Sequence, residues 1–203
     1  TVRELQGVAS IELEESGSGK RQIAVTRSFG QPVTALSDLE EAVTVFASRA
    51  AEKLRRQHGA AAQVLTYIRT SPFRQAAQYS HSSVVPLQRP SADTAAIVRA
   101  ALAGLRAVYR PGFSYAKAGV LLLDLQASSV QQAEFGFDAD VPVHPQGGRL
   151  GKVLDRLNRR YGQDTVFLAS AGLGGARRVW SMKQEHRSPR YTTCWKELPV
   201  AHA

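Results

Sequence analysis

Apolar positions follow two different periods along this chain. In residues 21–29, RQIAVTRSF, they alternate: Ile23, Val25 and Phe29 share one face, and Gln22, Thr26 and Ser28 share the other. That is the pattern of a half-exposed strand, and Gly30 and Pro32 end it. The period then lengthens. Ser37 followed by Glu40 reads as a capping box, and Leu39, Val43, Phe46, Ala50 and Leu54 form a stripe at helical spacing. Arg55, Arg56 and His58 fall in the last turn, where cations suit the helix dipole, and Gly59 is expected to stop the helix. Residues 63–71, QVLTYIRTS, form a second strand. Residues 82–88, SSVVPLQ, form a third, with Pro86 marking an edge or irregular pairing. Asp93 or Ser91 caps a second helix that turns Ile97, Ala101, Leu105 and Val108 inward, and Pro111-Gly112 ends it. Residues 114–126, SYAKAGVLLLDLQ, are a fourth strand, strongly apolar at the centre.

The order β-α-β-β-α-β predicts an α+β fold with a split β-α-β sheet, two helices on one face and the other face open. An open face on a protein of net charge +9 points to a nucleic-acid surface.

Residues 128–148 have linker composition, yet they hold the run QQAEFGFD with Phe135 and Phe137 flanking Gly136. Residues 149–162 then read as an amphipathic helix: Leu150, Val153, Leu154, Leu157 and Tyr161 inward, Arg149, Lys152, Arg156, Arg159 and Arg160 outward. A short strand is expected over residues 165–170, TVFLAS, then a glycine turn. The chain therefore divides into residues 1–19 as a tether, 20–127 as the sheet domain, 128–148 as a linker and 149–203 as a small α+β domain.

At 203 residues and 43% hydrophobic, the chain can bury one or two cores. Its longest apolar run is far shorter than the roughly 20 residues a membrane span needs, so no membrane partner is expected. No basic-then-apolar leader opens it, so no secretion signal is expected. Its first residue is Thr1, which predicts a natural chain reaching further upstream. A single cysteine, Cys194, excludes an internal disulfide and fits a reducing cytoplasm.

Catalytic patterns do not assemble. SGSGKR (16–21) lacks the phosphate-loop spacing, with Glu14 and Arg21 where Gly and a hydroxyl belong, and GLGGA (172–176) is a glycine turn. The five histidines are scattered and none stands at metal-ligand spacing to Cys194. Asp138 and Asp140 have no third carboxylate on a rigid scaffold. No glycine-rich anion cradle supports a small hydrolase. The expectation is no catalytic residue, no metal and no cofactor in this chain.

Several separate blocks carry a resemblance: RELQGVASIELEE, RQIAVTRSFGQPV, RAAEKLRRQ, YIRTSPF, YRPGFSYAKAGVLLLDL, VLDRLNRRYGQDTV and SMKQEHRSPRYTTCWKELPVA. In this order, over nearly the whole chain, they resemble the C-terminal part of UmuC-type translesion DNA polymerases of the Y-family. The run SPRYTTCW separates this type from the related DinB type. The resemblance implies that residues 20–127 are the little finger, that 1–19 lead from a thumb, and that 149–203 are the small extra domain. It also implies a bacterial cytoplasmic setting in SOS mutagenesis and DNA repair. The palm, with its Mg2+-binding carboxylates, is missing, so the chain is expected to lack nucleotidyl transfer that the whole polymerase performs.

The resemblance implies partners too. Clamp-binding motifs run Gln-x-x-Leu-x-Phe, and Gln132, Phe135 and Phe137 fit, with Phe135 where Leu is usual. A β sliding clamp is thus an expected partner, with primer–template DNA, a UmuD′ dimer and the RecA filament. Little fingers of this family lay the open sheet face along DNA and touch mostly phosphates, which look alike whatever the base. The candidates are Arg21, Thr26, Arg27 and Ser28, then Tyr67, Arg69 and Thr70, and Lys117. Arg27 shares parity with Ile23 and Val25. Arg69 shares a face with Leu65 and Tyr67 rather than with Val64 and Ile68, and the sequence leaves open which of those faces is the bare one. Lys53, Arg55 and Arg56 are expected on a solvated helix face or at the DNA backbone. Trp180, Tyr191 and Trp195 are expected to pack inside the small domain. The rival reading is a free-standing RNA-binding module on the same open sheet, which would need paired aromatics on its central strands.

Overall fold

The computed structural model describes residues 2–8, 21–128, 147–172, 178–183 and 188–198. The elements are α1 (Val2–Leu5), β1 (Ile23–Val33), α2 (Leu36–Arg56), β2 (Gly59–Thr70), β3 (Ser80–Ser91), α3 (Thr94–Val108), β4 (Tyr115–Ala127) and α4 (Gly147–Tyr161), with 3-10 turns at Ala169–Ala171 and Trp195–Glu197.

The sheet order is β1-β4-β2-β3, and every neighbouring pair is antiparallel. β1 and β2 therefore run parallel with β4 between them, joined by α2. β3 and β4 run parallel with β2 between them, joined by α3. Each crossover is a split β-α-β unit, as the order of periods predicts. Both helices lie on one face. Strand parity delivers Ile23, Leu122, Val64 and Val85 to that face in one cross-strand row, and Val25, Val120 and Thr66 in the next. Leu39, Val43, Phe46, Ala50 and Leu54 of α2 close over them with Ile97, Ala101 and Leu105 of α3, all buried. Thr66 sits in this core, and its hydroxyl donates to the Ala101 carbonyl at 3.1 Å, so its burial leaves no orphan donor.

The helix termini differ from the expected caps. Residue Ala35 is the N-cap of α2 and makes no side-chain cap bond, so Ser37 lies inside the first turn. Glu40 reaches instead to Arg106 of α3, 2.7 Å away. At the far end His58 takes the left-handed conformation, φ 52°, and Gly59 opens β2, where a Cβ would meet Leu54 Cδ1 at 2.8 Å. α3 has the expected cap: the Asp93 carboxylate accepts from the Ala96 amide at 3.0 Å.

The C-terminal residues build a second layer over α2. Residues 42–47, AVTVFA, are buried without a break. An amphipathic surface helix buries one stripe, so this run means cover on every side. Part of that cover is Trp180, whose ring meets Phe46 edge-on at 5.8 Å, and another part is Ala171. Trp180 does not pack inside a separate small domain, as the sequence suggests; it anchors that domain on α2. Tyr191 and Trp195 are exposed, not packed. Gly30 of β1 lets the tail approach: its amide donates to the Ser181 carbonyl at 3.0 Å, and a Cβ there would stand 2.5 Å from the Lys183 amide nitrogen.

Two further expectations are corrected. Residues 165–170 form no strand, because the Asn158 side chain takes up the Val166 backbone amide and carbonyl, both at 2.8 Å. α4 also does not dock on its apolar stripe. It docks on Arg55 through Gly151 and Asp155, leaving Leu150, Val153 and Tyr161 exposed and Leu154 and Leu157 half-buried.

Candidate nucleic-acid interface

The strand register assembles the other sheet face row by row. Cross-strand partners share a face, so Ser28, Lys117, Arg69 and Ser80 form one row across β1, β4, β2 and β3. The next is Thr26, Gly119, Tyr67 and Ser82. The third is Ala24, Leu121, Leu65 and Val84. Among the described residues no helix covers these rows, and Ser28, Arg69, Ser80, Thr26 and Ser82 are exposed.

These rows contain no acidic residue. Arg69 and Lys117 face each other directly across β2 and β4. Like charges opposite one another cost a sheet about 0.2–1 kcal/mol. No carboxylate among the described residues pairs with either cation to offset that. Hydroxyls flank the pair on both edge strands, Ser28 on one side and Ser80 on the other. Two cations and several hydroxyls on a rigid pleat suit an anionic polymer with evenly spaced oxygens.

Gly119 shapes the middle row. A Cβ there would come 2.4 Å from Tyr67 Cε1 and 2.7 Å from Thr26 Cγ2. The Tyr67 ring therefore lies down across β4 in the space the glycine leaves. A standing ring would have blocked an approaching backbone.

The structure brings together five of the eight expected residues, Thr26, Ser28, Tyr67, Arg69 and Lys117. Arg21 is exposed, two residues ahead of β1. Arg27 and Thr70 lie on the helix side. Arg27 neighbours Arg49 and Asp164. Partial burial first, and the Arg49 charge second, hold its guanidinium below the usual arginine range, while Asp164 acts the other way. Thr70 is buried. Its hydroxyl donates to Gln78 Oε1 at 2.9 Å and accepts from the Tyr79 amide at 3.0 Å, closing the β2–β3 connection. Both residues obey strand parity, and once one face is known to be bare parity excludes them. Ser80 escapes sequence reasoning because β3 begins there, not at residue 82, and Ser82, inside the expected strand, is not among the candidates. Gly119 is legible as a lone glycine in an apolar strand, a mark of close approach.

The helix cations divide as well. Arg55 is not solvated: its side chain is 7% exposed. It donates to Asp155 through Nε and Nη2, both 2.7 Å, and through Nη1 to the Ala92 carbonyl and the Thr94 hydroxyl at 2.9 and 2.8 Å. Arg56 is exposed and pairs with Glu52. Gln132, Phe135 and Phe137 lie outside the described residues. Among the described residues no group of three His, Cys, Asp or Glu could hold a metal ion, and no helix is long and apolar enough to cross a membrane.

Comparison with known proteins adds a lineage. The model of the impB/mucB/samB family C-terminal domain matches residues 20–135, and one described as a domain of unknown function (DUF4113) matches residues 148–201. Protein MucB of Salmonella typhimurium is 40% identical over 99% of this chain and 46% of its own length. Protein UmuC of Salmonella typhimurium strain LT2 is 40% identical over 98% of this chain and 46% of its own, and protein ImpB of the same species gives 40% over 99% and 46%. The chain thus spans about half the length of these curated relatives. Among solved structures, the complex of beta-clamp processivity factor and little finger domain of PolIV aligns at a TM-score of 0.37 and 16% identity, over 57% of this chain and 98% of that one.

Proposed function

The chain belongs to the impB/mucB/samB family, and from that premise we propose that it is the DNA-gripping and clamp-tethering region of an error-prone translesion DNA polymerase. The observation that carries this reading is the three acid-free rows of the sheet face with Arg69 and Lys117 side by side. Phosphates look alike on a damaged template and an intact one, so a face that reads only phosphates holds both. Thr26, Ser28 and Tyr67 add hydroxyl donors, and Arg21 extends the charge beyond the strand. Gln132, Phe135 and Phe137, on the stretch between β4 and α4, form the linear motif for a ring-shaped sliding clamp. Two buried aromatic anchors supply the affinity.

Nucleotidyl transfer and its Mg2+ belong, in this reading, to a palm outside this chain. The whole polymerase works in the bacterial cytoplasm during SOS mutagenesis and DNA repair, with a UmuD′ dimer and the RecA filament. An RNA-binding role is less well supported. Base stacking by this kind of sheet uses two or three aromatics, and within the three described rows Tyr67 is the single one.

The test compares binding to primer–template duplex and to single-stranded RNA of equal length across a salt series. Duplex preference with steep salt dependence is expected; RNA preference overturns the reading. Replacing Gln132, Phe135 and Phe137 by alanine is expected to abolish capture on immobilised clamp while duplex binding stays.

A further inference from the structure

α4 presents to solvent the side that an amphipathic helix ordinarily hides. Each residue advances about 100° around a helix, so Leu150 and Tyr161, eleven residues apart, stand on nearly the same line, with Val153 between that line and a row of arginines. These three are 61%, 64% and 51% exposed. One residue ahead of that line runs a parallel row, Arg149, Arg156 and Arg160, all exposed. The Arg160 guanidinium carbon stands 5.5 Å from the Tyr161 ring centre.

The docking side of α4, about 100–140° round from Leu150, explains why the helix does not roll over to bury its stripe. Asp155 is held at two points by Arg55, and Gly151 packs flat on the same guanidinium, where a Cβ would be 3.0 Å from Cζ. The helix is fixed by this docking side, and the apolar row faces outward as a result. A helix already fixed in place loses little further freedom on binding.

We propose that this side of α4 is a docking surface for an acidic amphipathic helix of a partner protein. An isolated row of apolar side chains at helical spacing is read by a second helix laid alongside it. The arginine row beside it sets the sign of the partner's flank: glutamates or aspartates, one helical edge away from its own apolar stripe. Nucleic acid fits less well, because a phosphate backbone offers nothing to Leu150 and Val153.

The experiment uses the 203-residue chain and three probes: a synthetic helix-forming peptide with leucines on one face and glutamates elsewhere, a scrambled peptide of the same composition, and duplex DNA. Fluorescence anisotropy reports affinity, and hydrogen exchange reports where protection appears. The patterned peptide is expected to bind and protect α4. The Leu150→Ser/Val153→Ser variant is expected to weaken it about tenfold or more, a change of about 1.4 kcal/mol, with the melting temperature unchanged because both side chains are exposed. Arg156→Glu/Arg160→Glu is expected to weaken it comparably, and through charge alone. Equal binding of the scrambled peptide, no binding of either, or full displacement by duplex DNA with Leu150→Ser/Val153→Ser unaffected would each overturn the proposal.

Discussion

Arg55 of α2 and Asp155 of α4 form a two-point ion pair, Nε and Nη2 each 2.7 Å from a carboxylate oxygen, with side-chain exposures of only 7% and 13%. The same guanidinium gives its remaining terminal nitrogen to the entrance of α3. One side chain thus joins three helices that are distant in sequence. Removing one partner of a buried pair leaves the other charge stranded. Asp155→Ala is expected to lower stability by about 3 kcal/mol in urea titration. Glu52→Ala breaks the exposed pair with Arg56 one turn earlier and is expected to cost about 0.5 kcal/mol or less. Equal costs would refute the assignment of Arg55 as a structural hub.

Gly30 and Trp180 offer an optical test of the second layer. Substitution Gly30→Ala would drive a methyl group into the Lys183 backbone, which has no rotamer by which to give way. The segment carrying Trp180 should lift from Phe46. Trp180 is buried and Trp195 is 89% exposed, so the expected result is a red shift of the buried component of tryptophan emission, with β-sheet circular dichroism kept. An unchanged spectrum would show that the tail does not depend on this approach.

On the bare face, binding and stability should separate. Arg69→Ala and Lys117→Ala each remove one cation from a repelling pair, so the melting temperature is expected to hold or rise slightly. Duplex affinity is expected to fall, and the slope of log K against log salt to lessen by about 0.9 for each phosphate no longer neutralised. Arg27→Ala, on the helix side, is expected to leave that slope unchanged. A slope reduced equally by all three would mean that the two sides of the sheet are not distinguished by DNA.

Gly119→Ala tests the recumbent ring. Its added methyl would have to displace Tyr67 or Thr26, and overpacking of this kind costs about 1–3 kcal/mol. The raised Tyr67 should also weaken duplex binding, measurable by anisotropy in the folded fraction. Tyr67→Ala together with Gly119→Ala is expected to recover part of the lost stability, since the contact with the ring goes while the one with Thr26 Cγ2 stays.

The sheet and its two helices are legible in the sequence because their apolar periods are driven by one dominant partner. Ile23 and Val25, or Ile97 and Leu105, have only the common core to face, so spacing alone assigns them. Strand parity also sorts the candidate residues, but only relative to one another. That Tyr67 and Arg69 are outside while Thr70 is inside depends on which face the helices cover, a tertiary fact. α4 shows where pattern fails. Its apolar stripe is better formed than its docking side, yet a bidentate pair to Arg55 and the Asn158 bonds to Val166 fix the other edge. Short-range polar geometry overrides the stripe, and nothing in the local spacing encodes Arg55, which lies on a distant helix. For residues 165–170, β propensity is overridden by a side-chain amide, which takes the Val166 backbone groups a ladder would use.

The unbroken burial of residues 42–47 has an evolutionary corollary. Two family models meet along this chain as if two modules had been joined end to end, one from 20 to 135 and one from 148 to 201. At α2 they are not separable: one module lines the inner side of the helix and the other roofs its outer side. A graft that traded the tail for a relative's would have to carry the outward residues of α2 with it, so the seam along which such proteins can recombine runs through a helix rather than through the linker.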